Sequence, residues 1–298
     1  MAYRVVTPDR RRLLALCRLT SAMQIVPGSV VPFSDSIQAG GDWHADARFC
    51  IFRDRLFIHY NDGYRKPNHI YLVEVDPDTL AARGPARVLV LDGPQRAVEK
   101  NWMLFAHDDE LWAIYSICPH VVLRLSWGEV GSVVCQRAYQ HAWDATAYAL
   151  PFGELRGGAP PVRLGDQYVS FFHSSFLVHP LRRLLFKVLR KRPTNILHYV
   201  GGVYGFAAKP PFTPLWLQPT PILMPPSLPR HHAQLSPIVE YSAYPCGAVL
   251  QNQRWILSFG ARNEYCCLAT SGFDAIPGES TISIQATDLT QSAVSNDR

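Results

Sequence analysis

From Asp46 onward, apolar and polar positions fall into short alternating runs broken by turn residues, the period-two pattern of strands rather than the 3.6-residue period of helices. Asp46-Ala47-Arg48 leads into FCIF, a turn at Arg53-Asp54 and then RLFIHYND. Glu99-Lys100-Asn101-Trp102-Met103-Leu104-Phe105 leads over an Asp-Asp turn into Glu110-Leu111-Trp112-Ala113-Ile114-Tyr115-Ser116. Gly158-Ala159-Pro160-Pro161 leads into VRL, a turn at Gly165-Asp166, and QYVSFFHSS. Pro245-Cys246-Gly247 leads into AVL, a turn at Asn252-Gln253, and RWILSFGARN. The same grammar four times over is an internal repeat.

Each hairpin belongs to a larger unit. Segments 48–53, 55–62, 69–75 and 86–92 are rich in Ile, Val, Phe and Tyr and predict four antiparallel strands. Comparable units span 101–139 and about 160–222, and a fourth runs clearly from Gly247 through Leu268. Four-stranded units recurring at about fifty residues predict propeller blades. Residues 1–44 read poorly, and 14–37 together with 278–289 are expected to complete a fifth blade. The expected fold is therefore all-β, a five-bladed β-propeller in a single domain over 1–298. A β-sandwich competes, but does not account for the recurring polar start of each unit.

One stretch breaks the pattern. In 176–197, Leu181, Leu184, Leu185, Val188 and Leu189 follow helical spacing, while Arg182, Arg183, Lys187, Arg190, Lys191 and Arg192 fill most other positions before Pro193. This predicts a basic amphipathic helix inserted in the third unit. It reads either as a helix on the rim with solvated charges or as a contact for an anionic surface through 182–192.

Composition narrows the class. The chain has 298 residues, 48% hydrophobic and 18% charged, with 24 prolines and 19 glycines, which suits a loop-rich β protein. A net charge of +5 is too modest to imply nucleic acid. The seven cysteines match no zinc spacing and read as reduced thiols, and the N-terminal residues lack the apolar core of a signal peptide. A cytoplasmic location is the expectation. No metal is expected: His231-His232 has no third ligand nearby.

The innermost strands of a propeller start around a shared axis, so the polar residues heading each unit are expected to converge. These are Asp46 and Arg48, Lys100 and Asn101, the Gly158 turn, and Gly247. A carboxylate, a guanidinium, an ammonium and an amide suit a polyhydroxylated, phosphate-bearing ligand. Trp43, Trp102 and Trp112 are candidates for stacking on sugar faces, and His120 for facing the funnel.

These residues resemble those of glycoside hydrolase family 130, the β-mannoside phosphorylases and related β-1,2-mannosyltransferases. Ala45-Asp46-Ala47-Arg48 resembles the family's Glu-Asp-Pro-Arg, and Lys100-Asn101 its Lys-Asn or Arg-Asn pair. Gly158-Ala159-Pro160-Pro161, Phe172-His173, Tyr199 with Gly201-Gly202, Cys246-Gly247 and Gly260-Ala261-Arg262-Asn263 follow in the family's order. The resemblance implies Asp46 as the single general acid, with phosphate attacking the anomeric carbon. It implies Lys100, His173 and Tyr199 around the phosphate, and Arg48, Asn101, Trp102, Asn263 and Glu264 around the sugar. No cofactor is implied beyond inorganic phosphate or a sugar phosphate as co-substrate, and the partner is a sugar or oligosaccharide. Four family positions differ: Ala45 replaces a glutamate, Ala47 a proline, Asn263 an aspartate, and Val200 the arginine that follows the tyrosine. They leave a second reading open, a propeller that binds glycan or protein without turning it over.

Overall fold

A computed structural model describes residues 1–63, 67–129, 131–177, 197–228, 241–272 and 283–286. The chain forms two compact units, Met1–Ala142 and Trp143–Arg298.

In the first unit, β1 (Ala2–Val6) and β2 (Arg12–Leu16) make a two-stranded sheet. Two four-stranded antiparallel repeats follow: β3 (Ala45–Phe52), β4 (Arg55–Asn61), β5 (Ile70–Glu74) and β6 (Arg87–Leu91), then β7 (Met103–His107), β8 (Glu110–Ser116), β9 (His120–Trp127) and β10 (Ser132–His141). Their outer strands β6 and β10 pair in parallel, giving one eight-stranded sheet in the order β3-β4-β5-β6-β10-β9-β8-β7. Its two terminal strands, β3 and β7, lie against each other, so the sheet is nearly closed. Counting reversals through the antiparallel neighbours from the parallel β6–β10 pair shows that β3 and β7 run the same way.

The hairpin turns follow from their residues. Arg53-Asp54, Asp108-Asp109 and Asn252-Gln253 all have positive φ at both central positions, the type I′ geometry that matches strand twist. Alternation then sorts the side chains. Cys50, Phe52, Phe57, Leu72, Leu104, Leu123 and their neighbours fill the core between the two repeats. Ile58, Tyr60, Val73 and Val75 on the opposite face of the first repeat meet Leu14, Leu16, Phe33 and Ile37. Residues 14–37 are thus bound to the first repeat by apolar burial.

A hydrogen-bond chain orients this N-terminal segment. Ser34 Oγ accepts from the Leu14 N–H (2.7 Å) and lies 2.7 Å from His44 Nδ1. His44 Nε2 meets the Ala39 carbonyl at 3.1 Å, and the Tyr60 hydroxyl donates to the same oxygen at 2.9 Å.

In the second unit a short helix, α1 (Thr146–Phe152), precedes β11 (Arg156–Gly157), β12 (Val162–Leu164), β13 (Gln167–Leu177), β14 (Leu197–Ala207) and β15 (Pro214–Leu217). β16 (Tyr241–Gln251), β17 (Arg254–Ala261), β18 (Tyr265–Gly272) and β19 (Ser283–Ala286) complete it. β11 and β12 both pair with β13, so the inner strand of this repeat is interrupted at Gly158–Pro161. Gly158 sits so tightly that a Cβ there would lie 2.5 Å from the Phe171 carbonyl oxygen. β14 and β16 run parallel. Phe171, Val203, Ala243, Trp255, Leu257 and Phe259 form the core.

The mostly-β expectation holds, and the repeat starts lie where the hairpin grammar places them. α1 was not anticipated; it is held by Tyr148, whose ring meets Phe172 edge-on at 5.0 Å. β19 pairs with β18 and so supplies the fourth strand of the last repeat rather than part of a fifth. The rest of 278–289, nearly all of the predicted basic helix with its 182–192 surface, and His231-His232 lie outside the described residues.

Candidate functional site

Asp46 sits where β3 departs from regular pairing. Ala45 is opposite Asn61 and Arg48 opposite His59, which leaves one extra residue in β3, a bulge. Asp46 takes up that extra length with φ +54°, a left-handed conformation that Asp and Asn tolerate better than other non-glycine residues. Its carboxylate Oδ2 accepts a hydrogen bond from Asn61 Nδ2 at 3.1 Å, and Asn61 Oδ1 accepts from the Gly63 N–H at 2.9 Å. Arg48 Nη1 donates to the Asp46 carbonyl at 3.3 Å. Asp46 is half-buried, while Arg48 and His59 are buried beside it. Burial, and secondarily the Arg48 guanidinium, hold His59 well below the ordinary histidine range, so its ring is neutral. Its Nε2 makes no hydrogen bond among the described residues.

Lys100 and Asn101 are set by their neighbour Glu99. This carboxylate is buried and takes three donors. Oε1 accepts from the Arg96 N–H (2.6 Å) and the Tyr115 hydroxyl (3.1 Å), and Oε2 from the Trp102 indole (3.2 Å). The Glu99 backbone exchanges two further bonds with the Asn68 side chain, at 2.6 and 2.7 Å. Beyond this knot Asn101 has φ +64°, repeating the left-handed start seen at Asp46. Because β3 and β7 run the same way and touch, Asp46, Lys100 and Asn101 all lie at the same strand end of the first unit.

Trp102 is 1% exposed, its indole N–H is taken by Glu99 and its ring packs against Tyr115. Trp112 is likewise buried, stacked on Tyr139, and Trp43 lies under the Arg12 guanidinium at 4.0 Å. His120 is wholly buried, next to His141. A cavity of about 510 Å³ is lined by Asn68, His69, Gln95, Glu99, Trp102 and Glu129 among others. Neither Asp46 nor Lys100 lines it.

In the second unit His173 is buried, its ring 4.2 Å from Tyr244 and 6.0 Å from Tyr199 between centroids. The β13–β14 pairing aligns His173 with Gly201, and the parallel β14–β16 pairing aligns Tyr199 with Ser242, so three strands build this aromatic cluster. Cys246 lies in a bulge of β16, its thiol 3.3 Å from the Tyr244 carbonyl. Asn263 is exposed in the β17–β18 turn with φ +60°, a backbone requirement that accounts for an asparagine there. The neighbouring Glu264 N–H is bonded to Ala261, and its Oε2 is buried without a partner among the described residues.

Sequence reading missed Asn61, His59, Asn68 and Tyr244. Asn61 carried a weak signal, since RLFIHYND ends in two polar residues where the strand was expected to stop. Among the described residues no three His, Cys, Asp or Glu side chains are grouped to hold a metal, and no helix is long and apolar enough to cross a membrane. None of the seven cysteines is in a disulfide. Burial pushes the Cys50 and Cys135 thiols up to about 12, leaving them protonated.

No protein-family model matches the chain, and no curated protein matches its sequence. Solved structures do. A β-1,2-mannobiose phosphorylase from Listeria innocua, solved with β-1,2-mannobiose, superposes with TM-score 0.57 at 15% identity, covering 89% of this chain and 68% of that one. A glycosyl hydrolase from Bacteroides ovatus gives TM-score 0.58 at 12% identity, over 94% and 82% of the two chains. A structure described with the family 130 mannoside phosphorylases, which contain hydrolases that target β-1,2 mannosidic linkages in Candida mannan, also gives 0.58 at 12%, again over 94% and 82%. At these identities the likeness is one of fold, and the fold is the one that the hairpin-opening residues resemble.

Proposed function

We propose that the chain is a carbohydrate-active enzyme that makes or breaks a β-mannoside-type bond by transfer to or from phosphate, with Asp46 as its single general acid. One observation carries the reading: a strand bulge holds the Asp46 carboxylate half-exposed at the same strand end of the first unit as Lys100 and Asn101. The fold shared with mannoside phosphorylases supports it.

In the degradative direction Asp46 gives its proton to the departing glycosidic oxygen, which keeps the electron pair of the broken bond to the anomeric carbon. An oxygen of hydrogen phosphate supplies the pair for the new bond. The proton that phosphate loses on becoming an ester returns to Asp46 through solvent, so the cycle balances. Phosphate as nucleophile removes the need for the second carboxylate that an inverting hydrolase places about 6.5–9.5 Å away. Lys100 supplies charge and Asn101 hydrogen bonds to phosphate or sugar.

The test is incubation with β-mannobiose and inorganic phosphate, and in reverse with mannose 1-phosphate and mannose, analysed by mass spectrometry. Wild type should form product, and Asp46→Asn should lose at least about a hundredfold in rate. Equal turnover by both proteins would overturn the assignment of Asp46. A glycan-binding protein without turnover is the second reading, favoured by Ala45, which is apolar, buried and paired with Asn61 where the resembling family has a glutamate. Sugar binding by calorimetry with no product from wild type would select it.

A further inference from the structure

We propose that Asn61 is the positioning residue of the acid: it fixes which oxygen of Asp46 carries the transferable proton. The inference rests on the reading of Asp46 as the acid. Register puts Ala45, not Asp46, opposite Asn61, and the extra residue of the bulge brings the Asp46 carboxylate back to the Asn61 amide.

The amide has one usable orientation. The Gly63 N–H, 2.9 Å away, requires the carbonyl oxygen Oδ1 on its side, which turns the NH₂ group toward Asp46 Oδ2 at 3.1 Å. Asn61 is 5% exposed, so water competes poorly for either bond. Oδ2 is therefore committed as an acceptor and Oδ1 is the oxygen that is protonated. As the proton leaves Oδ1, charge spreads to Oδ2 and the bond from Asn61 strengthens, with no reorganisation of the amide. Arg48 Nη1 donates to the Asp46 backbone carbonyl.

The experiment is carbon-detected NMR of the full chain labelled at aspartate carboxyls, with the Asp46 signal assigned by its loss in Asp46→Asn. In Asn61→Leu the Asp46 carboxyl signal should follow a different pH course from the wild type, because a donor to the carboxylate is gone. Arg48, His59, Asp62 and Lys100, charged or titratable groups at this end among the described residues, are present in both proteins and so are common to the comparison. An unchanged Asp46 titration in a folded Asn61→Leu protein would overturn the inference.

If that variant does not fold, the wild type alone decides. The Asn61 side-chain amide signal should move with pH in step with Asp46 and lose that response in Asp46→Asn; an amide indifferent to Asp46 titration overturns the inference. Turnover of β-mannobiose, measured on the same wild-type sample, reports separately on the reaction, so a failed reaction and a failed positioning role are distinguishable.

Discussion

Asp46 and Asn101 share a backbone conformation that constrains which substitutions are informative. Both have positive φ, so asparagine is tolerated at either position while a β-branched residue is strained there whatever the function. Asp46→Asn is thus the variant that separates chemistry from folding. Glu99 makes the opposite case. Its carboxylate takes three donors in a buried place, and Glu99→Leu would leave the Trp102 indole, the Tyr115 hydroxyl and the Arg96 N–H without it. The expected loss is about 3 kcal/mol or more of unfolding free energy, read from the denaturant midpoint. A loss under about 1 kcal/mol would mean that the knot is not what holds the Lys100–Asn101 segment.

At the scale of elements, the β13–β14 hairpin places His173 and Tyr199, and its fit depends on a glycine. Gly202 pairs with Phe172, and a Cβ there would lie 2.3 Å from the Phe172 ring, which is itself wedged against Tyr148 and Tyr204. Gly202→Ala should cost about 1–3 kcal/mol by overpacking, seen as a lower melting temperature. A melting temperature equal to the wild type would show that Phe172 has room to move. The hairpins themselves were legible in the sequence, because alternation and turn chemistry are local. Arg53-Asp54 and Asn252-Gln253 announce two-residue turns without reference to anything distant. The partners within the candidate site were not legible in the same way. A bulge of one residue shifts register by one, so Asp46 meets Asn61 through a pairing that no spacing rule gives. Trp102 follows Asn101 in the chain, but its own orientation is set by Glu99 and Tyr115 from inside the core. The heading residues of the repeats could be found; which way their neighbours face depends on tertiary packing.

On the scale of the whole molecule, the buried histidines tie stability to pH. His59 is buried, and desolvation lowers its proton affinity well below the ordinary value of 6.5; His44 is lowered in the same direction by burial. The unfolded chain takes up a proton on each as pH falls through that value, and the folded chain does so only at lower pH. Their contribution is therefore complete above about pH 6.5 and declines below it, by up to about 1.4 kcal/mol per pH unit for each fully buried ring. His59→Leu should flatten the dependence of unfolding free energy on pH between about 6.5 and 5; parallel curves for the two proteins would mean that the folded ring charges normally. The curl of the eight-stranded sheet has a different outcome. With β3 and β7 laid together, the two borders that an open sheet would expose to foreign strands are turned toward each other. Edge addition of the kind that grows fibrils thus meets two end strands turned toward each other, a protection that comes from topology.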